Sequence, residues 1–230
     1  MKVRLITIGQ SPRDDMVPEM VAWLPECSVS EYGALDGLDA DQIARCAPHA
    51  GEEVLTTRLA DRTNVVIGRE IVGKLLQKQI SLAENAGVDA NLVVCTGRFH
   101  DFSHDKPLYS AQELLERKVQ NIAQKYRCIG VITPLIEQDK QAIEKFGQGK
   151  VVFTAHANPY SLNSDKEINQ AAYKLVQNNA EIIVLDCMGY RLKHSYQVQK
   201  IANVPVLLAR KVVVVEFAQA LMKSNGLNYC

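Results

Sequence analysis

The sequence has no excess of either charge: 26 Lys and Arg stand against 26 Asp and Glu in 230 residues. Without a basic stripe nothing grips a phosphate backbone, so nucleic acid is not an expected partner. No apolar run approaches the roughly 18–20 residues of a membrane span, so no membrane association is expected. The stretch from Met1 to Gly9 has too short an apolar core, and no cleavage site, for a signal peptide. The expectation is a cytoplasmic protein whose six cysteines stay reduced. A P-loop, G-x-x-x-x-G-K-[ST], is missing, and so is the dinucleotide fingerprint, because glycine does not recur after Gly9 at the later positions of G-x-G-x-x-G. Low-complexity segments and Pro/Gly/Ser linkers are also missing.

What is there is an ordinary globular composition, 47% apolar and 23% charged. Short β-branched runs recur at Val3–Ile8, Asn91–Cys95, Cys128–Thr133, Val151–Ala155, Ile182–Cys187 and Val204–Leu208. They read as continuous hydrophobics without in–out alternation, the pattern of parallel strands covered on both faces. Stretches of helical period lie between them: Met16–Leu24, Ile71–Ala86, Ala111–Tyr126, Leu135–Phe146, Lys166–Asn178 and Ser195–Ala202. Such alternation predicts an α/β fold with right-handed crossovers. Glu52–Leu59 and Asn64–Gly68, flanking Ala60–Thr63, predict a hairpin inserted in the first half.

The two halves echo one another. Asn85-Ala-Gly-Val-Asp-Ala-Asn-Leu-Val-Val-Cys95 resembles Asn178-Asn-Ala-Glu-Ile-Ile-Val-Leu-Asp-Cys187, and Leu5-Ile-Thr7 resembles Val131-Ile-Thr133. Each half offers a strand ending near threonine and a later strand ending in cysteine. The expected organisation is therefore two lobes, 1–110 with a C-terminal helix over 211–230, and 111–210.

In open α/β sheets ligands bind beyond the carboxyl ends of the strands. Cys95 and Cys187 fall there, each before a flexible turn whose backbone N–H groups lower a thiol pKa. Two such thiols form an acid–base pair that removes a proton from one face of a carbon acid and returns one to the other. Cys27, Cys46, Cys128 and Cys230 stand at no strand's carboxyl end and are read as structural. The turn Gly9-Gln-Ser-Pro-Arg-Asp14 suggests a helix start, with Ser11 as cap, Pro12 in the first turn and Asp14 completing the capping. Thr7, Gly9, Ser11 and Arg13 would then form an anion site. Cys95, His100 and His104 match no common zinc spacing, so no metal is expected, and the segment reads as a loop flanking a cleft. His156 and His194 lie near later strand ends. Arg69, beside the hairpin, is a candidate carboxylate clamp.

Together these residues resemble the AroM family, within the aspartate/glutamate/hydantoin racemase superfamily. The carriers are Leu5-Ile-Thr-Ile-Gly-Gln-Ser-Pro-Arg13, Ala47-Pro-His-Ala-Gly-Glu-Glu53 with Thr57-Arg58-Leu59, Gly130-Val-Ile-Thr-Pro134 and Ile183-Val-Leu-Asp-Cys-Met-Gly-Tyr190. The resemblance implies two pseudo-twofold-related lobes, each a parallel sheet flanked by helices, with the site in the cleft between them. It also implies catalysis by two cysteines without pyridoxal phosphate, metal or other cofactor, and a homodimer, since racemases of this type often dimerise. The superfamily's Cys-Asn-Thr and Gly-Cys-Thr motifs become Cys95-Thr-Gly97 and Asp186-Cys-Met188 here, which points away from aspartate or glutamate as substrate. The expected activity is racemisation, epimerisation or isomerisation of a small carboxylate-bearing compound. Cys95 and Cys187 would exchange protons; Thr7, Ser11, Thr96, Gly97, Thr133, Met188 and Gly189 would hold the substrate, with Gly9, Arg13 and Arg69 beside them. The alternatives are one-cysteine decarboxylation or isomerisation, and non-catalytic binding of a small molecule.

Overall fold

The structure, a computed structural model, describes residues 1–24 and 27–224. Its elements are β1 (Lys2–Thr7), α1 (Val17–Val21), β2 (Ser28–Gly33), α2 (Ala40–Ala44), β3 (Val54–Arg58), β4 (Asn64–Gly68), α3 (Arg69–Asn85), β5 (Ala90–Val94), β6 (Leu108–Ser110) and α4 (Ala111–Ala123). There follow β7 (Cys128–Thr133), a 3-10 turn (Ile136–Gln138), α5 (Asp139–Phe146), β8 (Val151–His156), α6 (Ser164–Gln177), β9 (Ile182–Leu185), α7 (Leu192–Ala202), β10 (Val206–Leu208) and α8 (Ala209–Ser224). The chain divides into two compact units, one of residues 1–112 with the segment from Phe217 onward, the other of residues 113–216.

Each unit is built on its own four-stranded, all-parallel sheet, ordered β2-β1-β5-β6 in the first and β8-β7-β9-β10 in the second. Numbered within its own sheet, each reads second, first, third, fourth. The third strands are buried along their whole length, which is why neither alternates. In the first unit α3 turns Val72, Leu76, Ile80 and Ala83 to a core shared with Ile6 and Val93, a stripe at helical spacing. In the second, Ile168, Ala172 and Leu175 of α6 pack with Ile132 and Leu185. The hairpin is present as antiparallel β3–β4, with Val54 opposite Gly68. Among the described residues no helix is long and apolar enough to cross a membrane.

Some expected bounds shift. The helix read from Met16 to Leu24 shrinks to α1, with five residues and Met16 as its N-cap. Cys46, read as structural, lies just past α2. The stretch from Leu135 splits into a 3-10 turn and α5. The last helix begins at Ala209; the end of the expected 211–230 segment, with Cys230, lies outside the described residues.

Candidate active site

Strand register puts Cys95 and Cys187 at equivalent places. Val93 pairs with Ile6 and Ser110, as Leu185 pairs with Ile132 and Leu208, and each cysteine follows two residues later. Cys95 is buried and Cys187 half-buried. In each unit the glycine two residues on donates its backbone N–H to the sulfur, Gly97 to Cys95 and Gly189 to Cys187, both at 3.4 Å. An N–H directed at sulfur favours the thiolate over the thiol. The turns are tight: a Cβ on Gly97 would lie 2.6 Å from a Leu55 methyl, and one on Gly189 2.6 Å from the Tyr160 ring. By contrast, burial pushes the thiols of Cys27, Cys46 and Cys128 up, so they are poor nucleophiles at neutral pH.

The threonines are equivalent as well, each ending its unit's first strand. Thr7 Oγ1 accepts from Gly9 N–H at 3.4 Å and from the Arg13 guanidinium at 3.0 Å. Thr133 Oγ1 donates to the Leu135 carbonyl at 3.1 Å and lies 3.0 Å from His156 Nδ1, whose Nε2 is 3.4 Å from Asp139. Thr96 and Met188, the middle residues of the two cysteine turns, are both buried.

The surroundings of the second turn hold two residues that sequence reasoning missed. Lys145 on α5, 1% exposed, reaches both carboxylate oxygens of Asp186 at 2.9 and 2.6 Å. Arg210, the second residue of α8 and fully buried, donates Nε to the Met188 carbonyl at 2.9 Å and Nη2 to the Gly189 carbonyl at 3.4 Å. The available signal was a cation abutting apolar sequence, Lys145 before Phe146 and Arg210 before Val212–Val215; the partners are 41, 22 and 21 residues away. Tyr190, also fully buried, donates its hydroxyl to the Ala157 carbonyl at 2.7 Å. Burial, then the neighbouring Cys187 and Asp186, push its pKa well up, so it stays a neutral donor.

The helix start expected at Ser11 is corrected. Ser11 N and Oγ both donate to the Asp36 carboxylate at 2.7 Å, which also takes Gly33 N–H, so a carboxylate of the protein occupies these donors. Arg13, expected in that anion site, is 3% exposed. Its guanidinium pairs with Asp15 at 2.8 and 3.0 Å and reaches Thr7 and Thr57. Gly9 is pressed against the hairpin, where a Cβ would clash with the Arg58 carbonyl oxygen.

Arg69 opens α3 and pairs with Glu53 at 2.6 Å and Glu70 at 2.9 Å. It lines a pocket of about 230 Å³ with Lys74 and Gln77 of α3 and with Phe99, His100 and Phe102 of the loop that follows Cys95. Gln77 fixes that loop, its amide bonding both ways to Ser103. No group of three metal-ligating side chains is assembled among the described residues. His194 is 1% exposed; its Nδ1 accepts from Arg191 N–H, and burial, then Lys193, lower its pKa to about 4.

A family model described as AroM protein matches residues 3–222. The chain belongs to the AroM family. No curated protein matches the sequence. Among solved structures the AroM-family chain is similar to an allantoin racemase from Klebsiella pneumoniae, with TM-score 0.58 and 15% identity over 100% of this chain and 90% of that one. A glutamate racemase from Bacillus anthracis gives 0.64 and 14%, covering 98% and 82%. An arylmalonate decarboxylase gives 0.57 and 11%, covering 95% and 92%. The chain shares its fold with these racemases and the decarboxylase.

Proposed function

We propose that the protein is a cofactor-independent isomerase of the racemase or epimerase type, acting on a small carboxylate-bearing compound with Cys95 and Cys187 as its acid–base pair. The observation that carries this is the matched turn. At equivalent strand ends, each sulfur receives the N–H of a glycine two residues on, at the same 3.4 Å. A thiolate so held removes a proton from a carbon next to a carboxylate, and a thiol at the equivalent place returns one. Thr96, Thr7 and Thr133 are the proposed side chains for orienting the carboxylate. The donors of Ser11 and Arg13 are spent on Asp36 and Asp15 and drop out of that set.

Deuterium wash-in tests the proposal. In heavy water a panel of chiral carboxylates, read by NMR and mass, should include one that exchanges its acidic proton and loses optical purity. Cys95→Ser and Cys187→Ser should each abolish the loss of optical purity. Unchanged racemisation in both variants overturns the reading. A second reading, decarboxylation or isomerisation by Cys187 alone, is favoured by the Lys145–Asp186 pair and Arg210 around that turn. It predicts net loss of carbon dioxide or a shifted double bond, with Cys187 alone essential. A thermal shift without turnover would instead identify a binding protein.

A further inference from the structure

The peptide unit between Met188 and Gly189 has partners at both ends. Its carbonyl accepts from Arg210 Nε at 2.9 Å, and its N–H donates to Cys187 Sγ at 3.4 Å. A planar trans peptide points these groups in opposite directions, so fixing one aims the other. A buried cation on the carbonyl oxygen also polarises the whole unit and strengthens its N–H as a donor. We infer that Arg210 is a positioning residue for Cys187, acting through the Met188–Gly189 peptide to hold the sulfur as thiolate. The inference rests on the reading of Cys187 as a reactive thiol.

The first unit supplies the contrast. There the fourth strand also runs straight into a helix, and the residue equivalent to Arg210, second in α4, is Gln112. Other titratable groups lie around the Cys187 turn. Asp186 is matched by Lys145 from α5, Glu167 on α6 accepts from Asn158 N–H and Ser161, and Tyr190 stays protonated. Tyr160 lies over Gly189, and the imidazole of His194 is neutral above pH 4. Arg210 is the cation that touches the turn's own backbone.

The test is the pH dependence of iodoacetamide alkylation, followed at Cys187 by peptide mass, with Cys128 as internal reference. Alkylation needs no substrate: the thiolate displaces iodide and the proton goes to buffer. In the wild-type protein the rate should reach half its maximum below pH ~8.5, the midpoint of a free cysteine. Arg210→Gln, which copies the first unit, should move the midpoint up and slow alkylation at pH 7 about 3- to 10-fold, the effect of half to one unit. The plateau at high pH should not change. Arg210→Lys keeps the charge without the fork and should fall between; it also decides the matter if the Gln variant does not fold. A wild-type midpoint at or above 8.5, a folded variant whose profile coincides with wild type, or an equal change at Cys128 overturns the inference. If Cys187→Ser leaves racemisation intact, the functional reading fails while the effect of Arg210 on the thiol stands on its own.

Discussion

Around Cys95 and Cys187 the two units set one backbone in two surroundings. Where the first has Val94 before the cysteine and Gln112 second in the following helix, the second has Asp186, paired with Lys145, and Arg210. The shared part is topological: identical strand order and register put a thiol and a glycine N–H together in each. The difference is chemical, and a buried ion pair is a poor stabilising device, since its desolvation roughly cancels its attraction. Lys145 and Arg210 therefore make sense as groups that fix the second turn, and the first turn shows that the backbone forms without them.

Removing the thiols is the harshest way to test that comparison. Cys187→Ser and Cys95→Ser should each cost about 10²–10⁴-fold in racemisation, the usual weight of a proton-transfer group. A full loss from Cys187→Ser alone would make the chemical difference the functional one. Next in size, Lys145→Met removes the buried cation from Asp186 and should cost about 3–5 kcal/mol in denaturant unfolding. Adding Asp186→Val, which copies Val94, should recover most of it; failure to recover would mean the second turn depends on charge where the first does not. Arg13→Met poses the same question in the first unit by removing the guanidinium from Asp15, whose side chain is 11% exposed, and should cost a similar amount.

A smaller effect follows from His194, which belongs to the second unit. Its folded pKa of about 4 lies below the ordinary 6.5. As pH falls through 6.5 the unfolded chain takes up a proton that the folded protein refuses. The stabilisation, complete above pH 6.5, is lost towards pH 4, up to about 3 kcal/mol. His194→Gln should flatten the fall in melting temperature over that window; an unchanged slope would overturn the assignment. The smallest effect separates the two glycines. Gly189→Ala meets the Tyr160 ring and Pro159 and should cost about 1–3 kcal/mol, whereas Gly97→Ala meets the tip of Leu55, which can swing aside, and touches the Cys95 sulfur at 3.4 Å, and should cost less. Equal losses would mean that the turns are packed alike.

The sequence revealed what local patterning controls. Strands such as Ile182–Leu185, the hairpin, and the two strand-end cysteines were legible because burial and turn chemistry write themselves into neighbouring residues. The partners of Lys145 and Arg210 were not, because a buried cation is recognisable only once a distant oxygen is known to meet it. The turn at Gly9–Asp14 misled for a related reason. Ser11, Pro12 and Asp14 suit a helix start, but Asp36, 25 residues away, claims both Ser11 donors, and the helix begins only at Val17.

The path of the chain between the units bears on how the protein is made. The second unit is one uninterrupted stretch, whereas the first is begun at the N-terminus and receives its last piece from Phe217 onward. That piece is not ornamental: Phe217 is fully buried and meets Tyr109 edge-on at 5.1 Å, and Ala218 and Leu221 are buried beside it in sequence. On a ribosome, where domains generally fold as they emerge, the second unit can close while the first still waits for its final helix. The half synthesised first is thus the half completed last, and until then Tyr109 offers an uncovered apolar face to chaperones and proteases.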